Sequence, residues 1–237
     1  MTRPAEDIYR LFFPKLCPGC GREMPPGSVT VCTGCRMDAP LTGYEKMFDN
    51  PAARLFWGLV PVINASAFMF YTADGRWART VHGFKYRGLW RTARELGYWY
   101  GSEMKAGGLY RDVDAVVPVP LHFLRRLGRG YNQAEHIARG IASALGTEVL
   151  AGALRRVRHN PSQTRLSPEE RRDNVKGIFR VNRPGKLAGR HVLLVDDVLT
   201  TGSTLLQCAE TLVGSVPDAT LSIAALFISR KGVERGR

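Results

Sequence analysis

The stretch His191-Val-Leu-Leu-Val-Asp-Asp-Val-Leu-Thr-Thr-Gly-Ser-Thr204 runs from an apolar strand through two adjacent carboxylates into a small, hydroxyl-rich loop that opens a helix. Thr200, Thr201, Gly202, Ser203 and Thr204 can turn tightly at the glycine and aim successive N–H groups and hydroxyls at one anion, where the helix N-terminus adds partial positive charge. A phosphate monoester suits such a loop. Asp196 and Asp197 are poor partners for that phosphate, but carboxylates accept paired hydrogen bonds from a cis-diol such as a ribose 2′,3′-hydroxyl pair. Consecutive strand residues face opposite ways, so both can reach one ribose only where the chain is already turning. The plain alternative is an N-cap loop after a strand. A P-loop is excluded because Gly-Lys-Ser/Thr is missing.

Outward from this segment, strand and helix patterns alternate. Val60 to Tyr71, Val113 to Val119, Val192 to Val195 and Thr220 to Ile228 read as strands. Asp74 can cap a helix that sets Trp77, Val81 and Phe84 on one side. A second helix from about Leu89 to Met104 carries Leu89, Ala93, Leu96, Tyr100 and Met104 at helical spacing, and its aromatics are assigned to the core. Helices over Asn132 to Leu145, stopped by Gly146, and over Ser203 to Val213 complete the set. Apolar strands separated by amphipathic helices predict an α/β fold with a parallel sheet covered on both faces, whose ligands bind beyond the carboxyl ends of the strands.

Four cysteines form two pairs, Cys17-Pro-Gly-Cys20 and Cys32-Thr-Gly-Cys35, at zinc-ribbon spacing. Two knuckles complete a tetrahedral four-sulfur shell with no position left for water, so the Zn2+ would be structural. A segment of about 40 residues buries too little surface to fold without such a staple. The competing readings are a pair of disulfides, which a cytoplasmic chain disfavours, and a redox pair, which needs only one CxxC. Cys208 lies among Leu205, Leu206, Ala209 and Leu212 and reads as a core thiol. Pro40 to Pro51 reads as a linker, giving a ribbon over 1–45 and a second domain over 55–237.

The chain has 237 residues, 44% of them hydrophobic, and a formal charge of +13. That composition argues against disorder and fibres. No apolar stretch is suited to crossing a bilayer, and the N-terminus lacks the pattern of a secretory leader, so a cytoplasmic protein is expected. The charge is uneven: residues 122–190 hold 15 basic and 5 acidic side chains, a net +10. Such a band suits a polyanion, either nucleic acid or a polyphosphorylated small molecule, or is simply a solvated surface.

Two further segments bear on the site. After the second strand, Pro118, Val119 and Pro120 lead into a loop that sets Arg125, Arg126 and Arg129 beside a glycine turn, and arginines there suit a pyrophosphate. His122 could donate to phosphate or act as an acid; the other histidines, His191 included, default to structural or solvated roles. Residues Asn160 to Asn174 are polar and broken by proline, a candidate lid that could close over a charged leaving group.

The Val-Asp-Asp-Val-Leu-Thr-Thr-Gly-Ser-Thr segment closely resembles the phosphoribosyl pyrophosphate signature of type I phosphoribosyltransferases. That implies Asp196 and Asp197 on the ribose and Thr200 to Thr204 around the 5′-phosphate. The ordered set of both CxxC pairs, Phe84-Lys85-Tyr86-Arg87-Gly88, Val117-Pro118-Val119-Pro120, Arg129-Gly130-Tyr131-Asn132-Gln133, Gln163-Thr-Arg-Leu166, Glu170-Arg171 with Asn174, and the paired-acid loop resembles the ComF family (ComF/GntX-like) over nearly the whole chain. The resemblance implies a double zinc ribbon ahead of a phosphoribosyltransferase domain and a link with bacterial competence, in which single-stranded DNA is handled. It draws Lys85 into the site, where helix capping is the alternative, and Gln163, Arg171 and Asn174 into the lid.

Two functions of different class remain open. An enzyme would bind phosphoribosyl pyrophosphate with Mg2+ and let a nitrogen nucleophile displace pyrophosphate, with Arg125 or Arg126, Arg129 and the lid stabilising separated charge. A binding module would sense a phosphoribosyl ligand while the ribbon and the basic band contact single-stranded DNA or DNA-processing proteins. No acceptor pocket is legible in the sequence.

Overall fold

In the computed structural model the described residues are 16–24, 30–72, 75–86, 89–121, 130–157, 177–229 and 234, with only the backbone of Lys85 and Tyr86. Five parallel strands form the main sheet: β1 (Ala65–Tyr71), β2 (Ala115–Pro118), β3 (Glu148–Val149), β6 (His191–Leu199) and β7 (Thr220–Ser229), in the order β1-β7-β6-β2-β3. β4 (Leu154–Arg156) and β5 (Phe179–Val181) make a separate antiparallel pair. The helices are α1 (Thr33–Met37), α2 (Pro51–Arg54), α3 (Ala78–Tyr86), α4 (Trp90–Gly107), α5 (Gln133–Leu145) and α6 (Ser203–Ser215).

The sheet is covered on both faces, as continuous apolar strands require. Ala65, Val117, Val192, Leu194 and Ile223 pack with Leu205, Cys208 and Leu212 of α6 on one face. Phe68, Val116, Leu193, Val195 and Ala224 pack with α3, α4 and α5 on the other. Helices α4 and α5 approach closely because glycines stand at their contact: a Cβ on Gly101 would lie 2.8 Å from the Ile141 carbonyl oxygen. Asn132 caps α5 and Gly146 ends it in the left-handed region, as their residue types dictate. Cys17 and Cys35 share the second core with Trp77, Val81 and Phe84, and Thr80 Oγ1 donates to the Pro18 carbonyl at 3.0 Å.

One irregularity crosses the sheet. In β6, Leu194 faces α6 and Val195 faces α4 and α5; regular alternation would then turn Val198 to α6, yet Val198 packs on the α4–α5 side and Leu199 on the α6 side. The same lost step occurs in β7, where Leu226 and Phe227 share a face, and in β1, where Phe68 and Met69 do. Phe68, Leu226 and Asp197 occupy one row of the register, and the ladders pair the residues on either side of that row. The three strands therefore change phase together.

Several sequence expectations are corrected. β1 begins at Ala65 rather than Val60, because Leu59 and Val60 close a turn on Phe56 and Asn64 Nδ2 turns away to the Leu109 carbonyl. Pro40 to Pro51 is not a free linker: Phe70 N–H donates to Pro40 and Thr42 N–H to Phe68, so the segment covers the open edge of β1. The aromatics of α4 are not all core. Tyr100 is buried, but Trp90 and Tyr98 are 39% and 52% exposed, Trp90 lying about a quarter and Tyr98 about half a helical turn from the Ala93–Leu96 stripe. Asp74 lies outside the described residues.

His191 takes the structural role expected of it. Its ring Nε2 lies 2.8 Å from Ser222 Oγ and its N–H donates to Asp114 Oδ2 at 2.8 Å, at the opposite end of β6 from the loop. Burial holds its imidazole below the usual range.

Candidate functional site

Because the strands are parallel, their carboxyl ends share one edge. There Pro118 pairs with Val195, and Val119 N–H donates to the Val195 carbonyl at 2.8 Å, so the exit of β2 lies beside the aspartates. Asn132 fixes that exit: its Nδ2 donates to the Val119 carbonyl at 3.0 Å while Oδ1 accepts from Ala134 N–H at 3.2 Å. Tyr131 Oη and Gln133 Nε2 both donate to the Phe84 carbonyl, at 2.5 and 2.9 Å, tying the end of α3 to the start of α5.

Asp196 and Asp197 are half-buried at this edge. Asp197 sits in the row where the strands change phase, and its N–H donates to Asp196 Oδ1 at 2.8 Å. The alternation sets Asp196 on the α6 side; burial pushes the Cys208 thiol well up, and the Asp196 charge adds to this. The chain is thus already leaving regular strand geometry at the acid pair, the condition under which both carboxylates can approach one ligand.

Gly202 begins α6 with φ +78°, a conformation that costs other residues about 1–2 kcal/mol. The Phe56 ring lies against it; a Cβ there would stand 3.6 Å from two ring carbons. No side chain caps α6 at Gly202, while Thr201 Oγ1 lies 3.0 Å from Ser203 Oγ. Thr200, Thr201, Ser203 and Thr204 are exposed. Ser203 N–H donates to Thr201 Oγ1 at 3.4 Å, and the N–H groups that follow it at this helix start, flanked by exposed hydroxyls, are of the kind that can receive an anion.

The second cluster is the cysteine set. The sulfurs of Cys17, Cys20, Cys32 and Cys35 lie within 4.8 Å of one another, and Cys20 and Cys32 are 3.7 Å apart. A tetrahedral four-sulfur metal shell with bonds near 2.3 Å needs sulfurs about 3.8 Å apart, so the set can hold a metal ion. Gly19 makes room for it, since a Cβ there would stand 3.0 Å from Cys35 Sγ. Hydrogen bonding from Arg22 holds the Cys20 thiol down at about 6, whereas burial pushes the Cys35 thiol up. Cys32 and Cys35 N–H groups donate to Cys17 and Cys32 sulfurs at 3.4 Å each, the backbone support that knuckle turns provide.

Residues 122–236 match the family described as "Phosphoribosyl transferase domain". Competence protein F of Haemophilus influenzae is 35% identical over 136 residues, 56% of this chain and 59% of that protein. DNA utilization protein YhgH of Salmonella typhi is 38% identical over 99 residues, 42% of this chain and 43% of YhgH. The chain therefore spans about half the length of the curated relatives it matches. Among solved structures, it is similar to glutamine phosphoribosylpyrophosphate amidotransferase from B. subtilis complexed with ADP and GMP (TM-score 0.43, 18% identity, 61% of this chain and 30% of that one). Adenine phosphoribosyltransferase from Saccharomyces cerevisiae is also similar (TM-score 0.38, 17% identity, 64% of this chain and 74% of that one). The fold itself is a parallel sheet flanked by helices, with a four-cysteine cluster preceding it, and its β6 and α6 fall within the residues that match the phosphoribosyl transferase family.

The structure brings part of the expected site together. Asp196, Asp197, Thr200 to Thr204 and the Pro118-Val119-Pro120 exit share the carboxyl edge. Lys85 lies in the last turn of α3, its side chain outside the described residues. His122, Arg125, Arg126 and Arg129, and the lid residues Gln163, Arg171 and Asn174, also lie outside them. Sequence reasoning missed Phe56, which supports Gly202 from far along the chain with no local signal. It also missed the roles of Tyr131 and Gln133, although the Asn132 cap beside them marks the helix start they serve.

Proposed function

We propose that the carboxyl edge of the sheet binds phosphoribosyl pyrophosphate or a closely related phosphoribosyl ligand. The observation that carries this is the sequence of groups along one chain segment: an acid pair where β6 loses its regular phase, then four exposed hydroxyl side chains around the uncapped start of α6. The hydroxyls and N–H groups take the 5′-phosphate, and Asp196 and Asp197 accept from the ribose hydroxyls. Arg125, Arg126 and Arg129, on the stretch that follows Val119 and Pro120, and Lys85 at the end of α3, serve the pyrophosphate. Gln163, Arg171 and Asn174 belong to a lid over it. Mg2+ would enter as the counter-ion of the diphosphate and neutralise part of its charge. Cys17, Cys20, Cys32 and Cys35 hold a structural Zn2+, a cytoplasmic chemistry in which the thiols stay reduced.

Whether the phosphoribosyl group is transferred, with pyrophosphate leaving, or the ligand is only sensed is decided by pairing a binding measurement with a pyrophosphate-release assay. Calorimetry with phosphoribosyl pyrophosphate and Mg2+ should show binding to the unmodified protein. Asp196→Asn with Asp197→Asn should weaken it about 10- to 150-fold, the range for hydrogen bonds to charged groups. Unchanged affinity removes the ribose assignment. Pyrophosphate release with a panel of nitrogen bases identifies an enzyme; binding without release identifies a sensor. The relatives' names, competence and DNA utilization, support a role linked to DNA uptake in either case.

A further inference from the structure

Helix α3 touches both the cysteine cluster and the residues that shape the carboxyl edge, through contacts one helical turn apart. Thr80 is buried, and its Oγ1 donates at 3.0 Å to the carbonyl of Pro18, which stands between Cys17 and Cys20. One turn further on, the Phe84 carbonyl accepts from Tyr131 Oη and Gln133 Nε2. Carbonyls in the last turn of a helix lack an intrahelical partner, so the start of α5 supplies one. Asn132, between those two donors, holds the Val119 carbonyl at the exit of β2.

Both ends of α3 are anchored. On the cysteine side, Cys17, Cys35 and Val31 share one core with Trp77, Val81 and Phe84, and Arg76 Nη1 donates to Asp38 Oδ2 at 3.2 Å. The first knuckle closes on itself: Cys17 N–H donates to the Arg22 carbonyl and Gly21 N–H to the Cys17 carbonyl, both at 2.7 Å. The position of Pro18 is therefore set by the geometry of the cysteines. On the sheet side, the Trp77 and Phe84 rings lie 6.4 and 6.3 Å from that of Phe227, which pairs with Val198, the residue next to Asp197.

We infer that α3 links metal retention at the cysteines to ligand binding at the carboxyl edge, with Thr80 and Tyr131 as positioning residues on its two sides. The inference rests on the phosphoribosyl reading of that edge and adds a control to it. A closed four-sulfur shell fixes Pro18 and through it Thr80. The same turn then presents the Phe84 carbonyl to Tyr131 and Gln133 and carries the backbone of Lys85. With the shell open, Pro18 loses its restraint and the ligand must order α3 itself, which lowers its apparent affinity. Linkage between binding sites is reciprocal, so the ligand must tighten metal binding by the same factor.

The test uses the full chain with zinc, and phosphoribosyl pyrophosphate in excess Mg2+. Competition with a chelating dye measures zinc affinity with and without saturating ligand, and calorimetry measures the ligand separately. Coupled sites shift one another about 5- to 150-fold, so the ligand should raise zinc affinity by at least about 5-fold. Chelation of zinc by the diphosphate in solution has the opposite sign and does not imitate that result. Thr80→Val keeps every cysteine and should bind zinc and ligand without the shift, whereas Thr80→Ser should retain it. Tyr131→Phe should abolish the shift from the other end. A merely structural role for Thr80 would lower the melting temperature and leave the shift intact. Absence of ligand binding to the zinc-loaded protein removes the phosphoribosyl reading, and this inference with it. Ligand binding with unchanged zinc affinity overturns the inference alone, on the unmodified protein and whatever the variants' folding. So does a shift that survives in folded Thr80→Val and Tyr131→Phe proteins.

Discussion

A Cβ on Gly140 would stand 2.6 Å from the amide nitrogen of Tyr98, so α4 and α5 meet backbone to backbone. Gly140→Ala must push the helices apart, and overpacking of this kind costs about 1–3 kcal/mol. Urea denaturation should show the loss. Gly185→Ala, where nothing lies within 4 Å of the new methyl, should leave stability unchanged. Equal behaviour of the two variants would contradict the close approach.

Cys35 is fully buried among the residues that join the cysteine cluster to α3. Cys35→Ser should abolish retention of the metal and lose a large share of the about 10–16 kcal/mol that a structural tetrathiolate contributes. Metal analysis and thermal melting check this together: a chelator should lower the melting temperature of the unmodified protein and have no further effect on the variant. Cys208→Ser should keep full metal content, since Cys208 lies in the other core.

Glu45 is 3% exposed, and its Oε2 has no hydrogen-bond partner. Lys46 stands 3.9 Å from its other oxygen but is engaged at 2.9 Å with Glu103. Burial therefore holds the Glu45 carboxyl above the usual carboxylate range, with Lys46 opposing and Glu103 adding. A group raised in the folded state contributes stability that is fully present below its ordinary value and is lost as pH rises through the folded one. Glu45→Gln should flatten that part of the profile, with the gain over the unmodified protein appearing above the ordinary carboxylate range. Denaturant midpoints measured across the acid-to-neutral range check it; parallel profiles for the two proteins would show that Glu45 titrates normally.

Much of this was legible in the residues themselves. The β6 segment declared its strand, acids and loop, Asn132 and Gly146 bounded α5, and the cysteine spacing gave the metal cluster, because each is a local signal. Features that depend on remote neighbours were not legible. β3, β4 and β5 are two or three residues long and have no period to read. The stretch after Pro40 carries the composition of a linker and is held only because β1 lies at the sheet edge. Trp90 and Tyr98 are apolar by type, and only their angular position on α4 turns them outward. The aspartate pair was expected to need a turn in the chain, but nothing within β6 shows that β1 and β7 lose the same step.

That shared step on Phe68, Leu226 and Asp197 makes the acid pair a property of three chain segments rather than of one. Deleting a single residue from β6 to restore plain alternation would slide its end against β7 and set Leu199 in the row of Phe227, whose side chain faces the other core. Transplanting the acid-and-hydroxyl loop onto another parallel sheet should accordingly fail unless the neighbouring strands carry the matching offset.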